Sequence, residues 1–123
     1  MSHTWMVQMG FISLIVFGAG CSRETSFKQD VYPILSEHCL SCHKLGTEGQ
    51  VKSGLSMEDY DGLMKGTRFG PVIIPGSHIS STLILLLDRK GHPSINMPKD
   101  KPELPKHKID LIRQWVDQGA KNN

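Results

Sequence analysis

Two cysteines followed directly by a histidine, in the segment Cys39-Leu40-Ser41-Cys42-His43, constrain this chain more than any other feature. The spacing C-x-x-C-H is the attachment sequence for a c-type haem. Thiols three positions apart lie on one face of a helical turn and can both reach the vinyl groups of one porphyrin. The histidine that follows is then held under the iron as an axial ligand. The sequence therefore predicts one haem c, bound covalently through Cys39 and Cys42, with His43 as an iron ligand.

Three other kinds of site contain closely spaced cysteines, and the rest of the sequence argues against each. A structural zinc site needs four ligands, and with 3 cysteines the chain has no second pair to complete them. A thioredoxin-like redox pair needs a preceding strand and a parallel sheet, which the residue pattern does not predict. A disulfide across two intervening residues would join no distant segments.

Length and charge narrow the class of protein further. The 123 residues allow one domain. A domain of about 100 residues buries about two-thirds of its unfolded surface, so a haem would supply an apolar centre that the chain alone lacks. The formal charge of +2 would be cancelled by two haem propionates, so charge gives no support for a nucleic-acid partner.

The N-terminus is typical of an export signal, which we expect to span residues 1–20. A short apolar run (residues 11–17) leads to the small residues 18–20 and then Cys21. This order is typical of a bacterial lipoprotein signal, in which the cysteine carries lipid and becomes the first residue. Position 18 is glycine where a branched apolar residue is usual, and residues 1–9 contain no lysine or arginine. Ordinary secretion and an uncleaved anchor are the alternatives, although the run is short for a bilayer span.

These assignments use every cysteine and predict a location. Lipid on Cys21 and haem on Cys39 and Cys42 leave no unpaired thiol in an oxidising compartment. We expect the protein on the periplasmic or outer-surface side of a bacterial membrane, attached through the lipid. The predicted parts are a signal peptide (1–20), a tether (21–25), a haem domain (26–120) and a tail (121–123).

Hydrophobic spacing predicts an all-α fold of four to five short helices joined by long loops around the haem. Ser26 is expected to cap the first helix, which contains Pro33 and delivers the haem motif at its C-terminal end. The run 83–87 also fits a buried strand, but its unbranched leucines favour a helix. Further helices are predicted over residues 57–64, 77–87 and 106–118, with loops over 44–54, 66–76 and 91–105. Ile79 is expected on the apolar side of the second of these helices, and the last has the apolar stripe Ile109, Ile112, Trp115 and Val116.

The second axial ligand is expected from the loop before the last helix. Met97, next to Pro98, lies where a proline-rich loop can cross the open haem face and present a thioether. Met57 and Met64 fit an amphipathic helix and are predicted to fill the core. His92 is the competing ligand, and an open or water-bound site is the third alternative.

The identity of that ligand decides between two functions. A thioether stabilises reduced iron and a filled sixth site blocks substrate, which favours electron transfer. An open or displaceable site favours a haem enzyme or a peroxide or gas sensor, but no carboxylate is placed beside His92 to form an acid–base pair. Lysines near the Met97 loop are predicted either to steer a transient acidic redox partner or simply to be solvated. They are Lys99, Lys101, Lys106 and Lys108.

The chain resembles a class I type monohaem cytochrome c, and most closely the cytochrome c domains common in planctomycetes. The resemblance covers residues 26–120 and is carried by the haem motif and by the segments 30–35, 70–76, 96–98 and 112–120. It implies His43 as the proximal ligand, Met97 as the distal ligand, and an electron carrier with no small-molecule substrate. It also implies that the carbonyl of Pro71 accepts the free N–H of the proximal histidine, and that Trp115 packs the last helix against the first near the haem edge.

Overall fold

The N-terminal helix begins at the predicted cap. In the computed structural model, which describes residues 23–123, the Ser26 hydroxyl accepts a hydrogen bond from the backbone N–H of Gln29 at 3.2 Å. A π-helical turn, Phe27–Val31, leads into helix α1, Tyr32–His38. Pro33 is the second residue of α1, which follows the π-helical turn directly, so its missing N–H falls where the helix changes from π to α geometry.

Five further α-helices follow in the described part of the chain. They are α2 (Leu40–His43), α3 (Glu48–Ser53), α4 (Tyr60–Lys65), α5 (Thr82–Leu87) and α6 (Lys106–Asp117). Between residues 23 and 123 there is no strand, and the β-type pairing is one isolated bridge between Thr67 and Gly70. The prediction of an all-α fold is confirmed.

Two boundaries predicted for the first half of the molecule are wrong. The segment 44–54, predicted as a loop, contains α3. The helix predicted over residues 57–64 begins only at Tyr60. The carboxylate of Asp59 accepts a hydrogen bond from the N–H of Gly62 at 2.7 Å, and this cap fixes the start of α4.

The helix predicted over residues 77–87 also begins later, at Thr82. The Ser81 hydroxyl donates to the carbonyl of Ser77 at 2.8 Å and holds the preceding residues in turns. Ile79, expected on the apolar face, is 83% exposed in these turns. The choice of helix over strand for residues 83–87 is confirmed.

The core is assembled on α6. Its predicted apolar stripe is buried and consists of Ile109, Ile112, Trp115 and Val116. The ring of Trp115 lies 5.5 Å from that of Phe27, which is in turn 5.3 Å from Tyr60 in an edge-on contact. Trp115 therefore packs the last helix against the N-terminal one, as predicted.

Residues at both ends of the described chain join this packing. The N–H of Thr25 donates to the side chain of Gln118 at 2.7 Å. Asn123 accepts from the N–H of Phe27 through its side chain at 2.8 Å and from the N–H of Lys28 through its carbonyl at 3.0 Å. The two bonds to Asn123 satisfy N–H groups that the first helical turn cannot pair itself, and all three bonds join residues outside 26–120 to the packed region.

None of the helices between residues 23 and 123 has the length and apolarity needed to cross a bilayer. The predicted signal, residues 1–20, and the predicted lipid site, Cys21, lie outside the described residues.

Candidate functional site

The two cysteines of the motif occupy a short helical turn at the end of α1. The N–H of Cys39 still bonds to the carbonyl of Leu35 at 2.9 Å, and the N–H of His43 bonds to the carbonyl of Cys39 at 2.9 Å. Cys39 is half-buried against the core, Cys42 is exposed, and both thiols are free. The turn therefore presents two unpaired thiols at the margin of the hydrophobic core.

Burial changes the chemistry of the Cys39 thiol. It raises the pKa of Cys39 to about 11, against the opposing effect of the nearby Lys101 ammonium. Cys39 is consequently a protonated thiol at neutral pH, with its sulfur packed among apolar side chains rather than ionised.

His43 is held as a neutral imidazole. Its Nδ1 lies 3.3 Å from the carbonyl oxygen of Leu55, and because a carbonyl only accepts, Nδ1 carries the proton. Desolvation lowers the pKa of the buried ring, while the bond to Leu55 acts in the opposite direction. The lone pair is thereby left on Nε2, in the form of the side chain that binds a metal ion.

The hydrogen-bond acceptor of the His43 ring differs from the one expected. The carbonyl of Leu55, not that of Pro71, receives its N–H, and Pro71 is exposed. The N–H of Met57 bonds to the carbonyl of His43 at 2.8 Å, which lays the chain after α3 alongside the histidine. A contact between Pro71 and haem stays a prediction.

The sequence did not predict Leu55 as the partner of His43, although Gly54 indicated a reversal of the chain just before it. Gly54 ends α3 with φ 83°, a left-handed conformation that favours glycine and reverses the chain. This reversal returns the following residue toward the haem motif, where the Ser53 hydroxyl accepts the N–H of Leu55 at 3.1 Å.

Helix α3 packs directly on the haem motif at a glycine. A Cβ on Gly49 would lie 2.5 Å from the backbone oxygen of Cys42, closer than non-bonded atoms approach. Only glycine permits this separation of the two backbones.

The three methionines considered as ligands differ in their surroundings. Met97 is half-buried at the edge of the core, on the loop of residues 91–105 (the Met97 loop), and its N–H bonds to the carbonyl of Leu86 at 3.1 Å. Met57 is only 3% exposed within the core, as predicted for a core residue, and Met64 is half-buried. The competing His92 is exposed, with its ring 2.8 Å from the Ser94 hydroxyl.

A direct contact joins the Met97 loop to the haem motif. The Nζ of Lys101 donates to the Oγ of Ser41, which lies between the two cysteines, at 2.6 Å. Lys101 follows Met97 by four residues, so this bond brings the Met97 loop to the haem motif.

The other three lysines considered for partner docking differ in their hydrogen-bond partners. Lys108 donates to the Glu37 carboxylate at 2.6 Å, and Lys106 pairs with Asp110 within α6. Lys99 makes no hydrogen bond within residues 23–123. The lysines therefore do not form a uniform free patch.

The donor set fits a covalent haem better than a chelated metal ion. Within residues 23–123 no group of three or more His, Cys, Asp or Glu side chains is placed to hold a metal. Two thiols, a neutral imidazole and a separate thioether are the groups that a c-type haem uses.

Comparisons with known proteins agree with this chemistry. A family model described as planctomycete cytochrome c matches residues 39–101, more than half of the 123-residue chain. Among solved structures, hydrazine synthase of Kuenenia stuttgartiensis is similar over 80% of this chain, with a TM-score of 0.52 and 21% identity. This chain spans 16% of that protein's chain, and at this identity the similarity concerns the fold. No curated protein sequence matches.

Proposed function

The chain belongs to the planctomycete cytochrome c family, and from that premise we propose that it is a monohaem electron carrier. Membership makes it a c-type haem protein. In the proposed site Cys39 and Cys42 hold one haem through thioether bonds, His43 provides the proximal iron ligand and Met97 the distal one. The haem, when bound, supplies a one-electron Fe(II)/Fe(III) couple.

The observation that carries this proposal is the state of His43. Its ring is buried, neutral and oriented by the Leu55 carbonyl, immediately after two unpaired cysteines. A fixed imidazole of this kind is what iron ligation requires. Met97 supports electron transfer over catalysis, because a thioether on the sixth site leaves no position for a substrate.

The absorption spectrum tests the ligation directly. We expect the oxidised holoprotein to show the weak near-infrared band of sulfur-to-iron ligation. Met97→Ala should abolish the band. Met64→Ala is the matched control, because Met64 is also half-buried but lies on α4, and this variant should retain the band. Folded Met57→Ala protein should also retain it. A high-spin spectrum in the untreated protein would overturn the carrier and favour a haem enzyme or gas sensor.

The protein is further proposed to act outside the cytoplasm, attached to a membrane by lipid on Cys21. Cytochromes c are generally extracytoplasmic, which supports export. The lipid anchor is tested separately, by mass. Intact mass of the mature protein should show acyl chains on Cys21. A mature N-terminus at another residue, without added lipid, would contradict the anchor.

A transient acidic redox partner is proposed to dock near the Met97 loop. Lys99 supports this, because its ammonium has no hydrogen-bond partner within the described residues. Electron transfer to an acidic partner should slow with rising ionic strength, and Lys99→Gln should weaken that dependence. A rate insensitive to salt would contradict electrostatic docking.

A further inference from the structure

We propose that Lys101 is a positioning residue that ties the Met97 loop to the haem-attachment turn through Ser41. This rests on the proposed His43/Met97 ligation, and it assigns Lys101 to the haem site instead of to a docking surface. The tie sets how readily the Met97 thioether gives way to another ligand.

The contact joins two segments that are distant in sequence. Lys101 and Ser41 are 60 residues apart, and the Nζ to Oγ distance is 2.6 Å. Ser41 belongs to α2, between the two cysteines, so the ammonium is fixed at the turn that is proposed to hold the haem. The same ammonium opposes the effect of burial on the Cys39 thiol, which is a second sign of its closeness.

Hydrogen bonds hold the first half of the Met97 loop to a different part of the molecule. They connect it to the end of α5 and the residues after it, far from the haem motif in the chain. The bonds are Met97 N–H to the Leu86 carbonyl, the Asn96 side chain to the Arg89 carbonyl, and the Arg89 guanidinium to the Pro98 carbonyl.

The second half of the loop has fewer ties. Between residues 99 and 104 the described polar contacts are Lys101 to Ser41 and an ion pair of Glu103 with Arg89 at 3.5 Å. Within residues 23–123, the Lys101 contact is the one hydrogen bond that joins the loop to the haem motif. Its loss would leave the loop tied to the α5 side at one end and to the core through Leu104 at the other, with no hydrogen bond to the haem motif.

Lys99 provides the matched control. It is a lysine on the same loop, two residues earlier, exposed like Lys101 and without a hydrogen bond in the described part of the chain. Lys99→Met and Lys101→Met remove the same charge at nearly the same place. Lys99 lies near the Glu48 carboxylate and Lys101 near Cys39, so a difference between the two variants reports the Ser41 contact where Ser41→Ala reproduces it.

The test is a titration of the ferric holoprotein with imidazole, followed through the sulfur-to-iron band. We expect Lys101→Met to bind imidazole about fivefold more tightly than the parent, the factor that corresponds to one net hydrogen bond. Ser41→Ala should have the same effect, and the double variant should add nothing further. Lys101→Arg should restore most of the parental affinity, and Lys99→Met should stay within about twofold.

Hydrogen exchange of the peptide spanning residues 96–104 provides a readout independent of the iron ligand. Exchange should be faster in Lys101→Met and Ser41→Ala than in Lys99→Met. Equal imidazole affinity and equal exchange in Lys101→Met and Lys99→Met would overturn the proposal. A parent protein without the sulfur-to-iron band would overturn the Met97 ligation, and exchange would then decide the role of Lys101 alone.

Discussion

The segment that holds His43 and the loop that carries Met97 differ in how they are fixed. His43 is buried, and it is bonded through its ring to Leu55 and through its carbonyl to Met57, both of them core residues. The Met97 loop is largely exposed, and polar contacts with few apolar anchors hold it. One side of the site is built into the core and the other is laid on its surface.

This difference suggests a division of labour between the two proposed ligands. A ligand set in the core keeps its position as long as the protein is folded, because displacing it exposes apolar surface. A ligand on a loop held by hydrogen bonds can move at a cost of a few bonds, without global unfolding. The proximal side then fixes the haem, while the distal side sets how firmly the sixth position is closed.

The largest expected effect comes from shortening a core side chain beside His43. Leu55→Ala should lower the free energy of unfolding by about 3 kcal/mol, because it empties a core position beside His43. Urea unfolding of the holoprotein measures the loss. Leu45→Ala is the matched control: Leu45 is 72% exposed, and its truncation should change stability by no more than about 0.5 kcal/mol. Equal losses in the two variants would remove the basis of the comparison.

Sequence alone predicted the elements whose information is local. The loop over residues 91–105 and the buried apolar stripe of α6 follow from prolines and from apolar residues at helical spacing. The cap at Ser26 was also correct, because a hydroxyl before a helical pattern bonds to an N–H three residues away.

The parts that sequence did not predict depend on distant contacts. The glycines at 49 and 54 predict a loop where the structure has α3, yet Gly49 is required where α3 touches Cys42. The Leu55 carbonyl could not be assigned to His43 because every residue has a carbonyl, and only the path of the chain selects one. The Lys101 to Ser41 bond spans 60 residues and has no pattern in the sequence.

A smaller effect is expected from the buried polar tie on the distal side. The Asn96 side chain accepts the N–H of Gly91 at 2.9 Å and donates to the carbonyl of Arg89 at 3.3 Å. Asn96→Ala should cost about 1–2 kcal/mol, because it leaves two backbone groups without partners. It should also tighten imidazole binding to ferric iron, which Leu45→Ala should not do.

The control for this variant is Ser94→Ala on the same loop, where the side chain is exposed. It should leave both urea unfolding and imidazole affinity nearly unchanged. A loss in Asn96→Ala as large as that in Leu55→Ala would show that the Met97 loop is as firmly built as the proximal side, and the contrast would fail.

The smallest effect is expected at a surface tie outside both regions, between His78 and Asp117 at the end of α6. Partial burial raises the pKa of Asp117, but hydrogen bonds from the backbone and ring of His78 together outweigh it and leave the pKa below its ordinary value. A carboxylate with a lowered folded pKa stabilises the protein fully above about pH 4, and the contribution is lost as the pH falls through the folded pKa. Asp117→Asn should therefore reduce stability at pH 5, and its difference from the parent should be smaller at about pH 3.

The side chain of Asp117 is 46% exposed, so solvent screening should hold the loss at pH 5 to about 0.5 kcal/mol or less. Urea unfolding of parent and variant at the two pH values measures the difference. If this exposed bond contributes as much to stability as the buried bonds of Asn96, then burial does not explain how strongly the Met97 loop is held. The number of hydrogen bonds on the loop would then determine how easily it moves, and the Lys101 to Ser41 bond would matter more than its exposure implies.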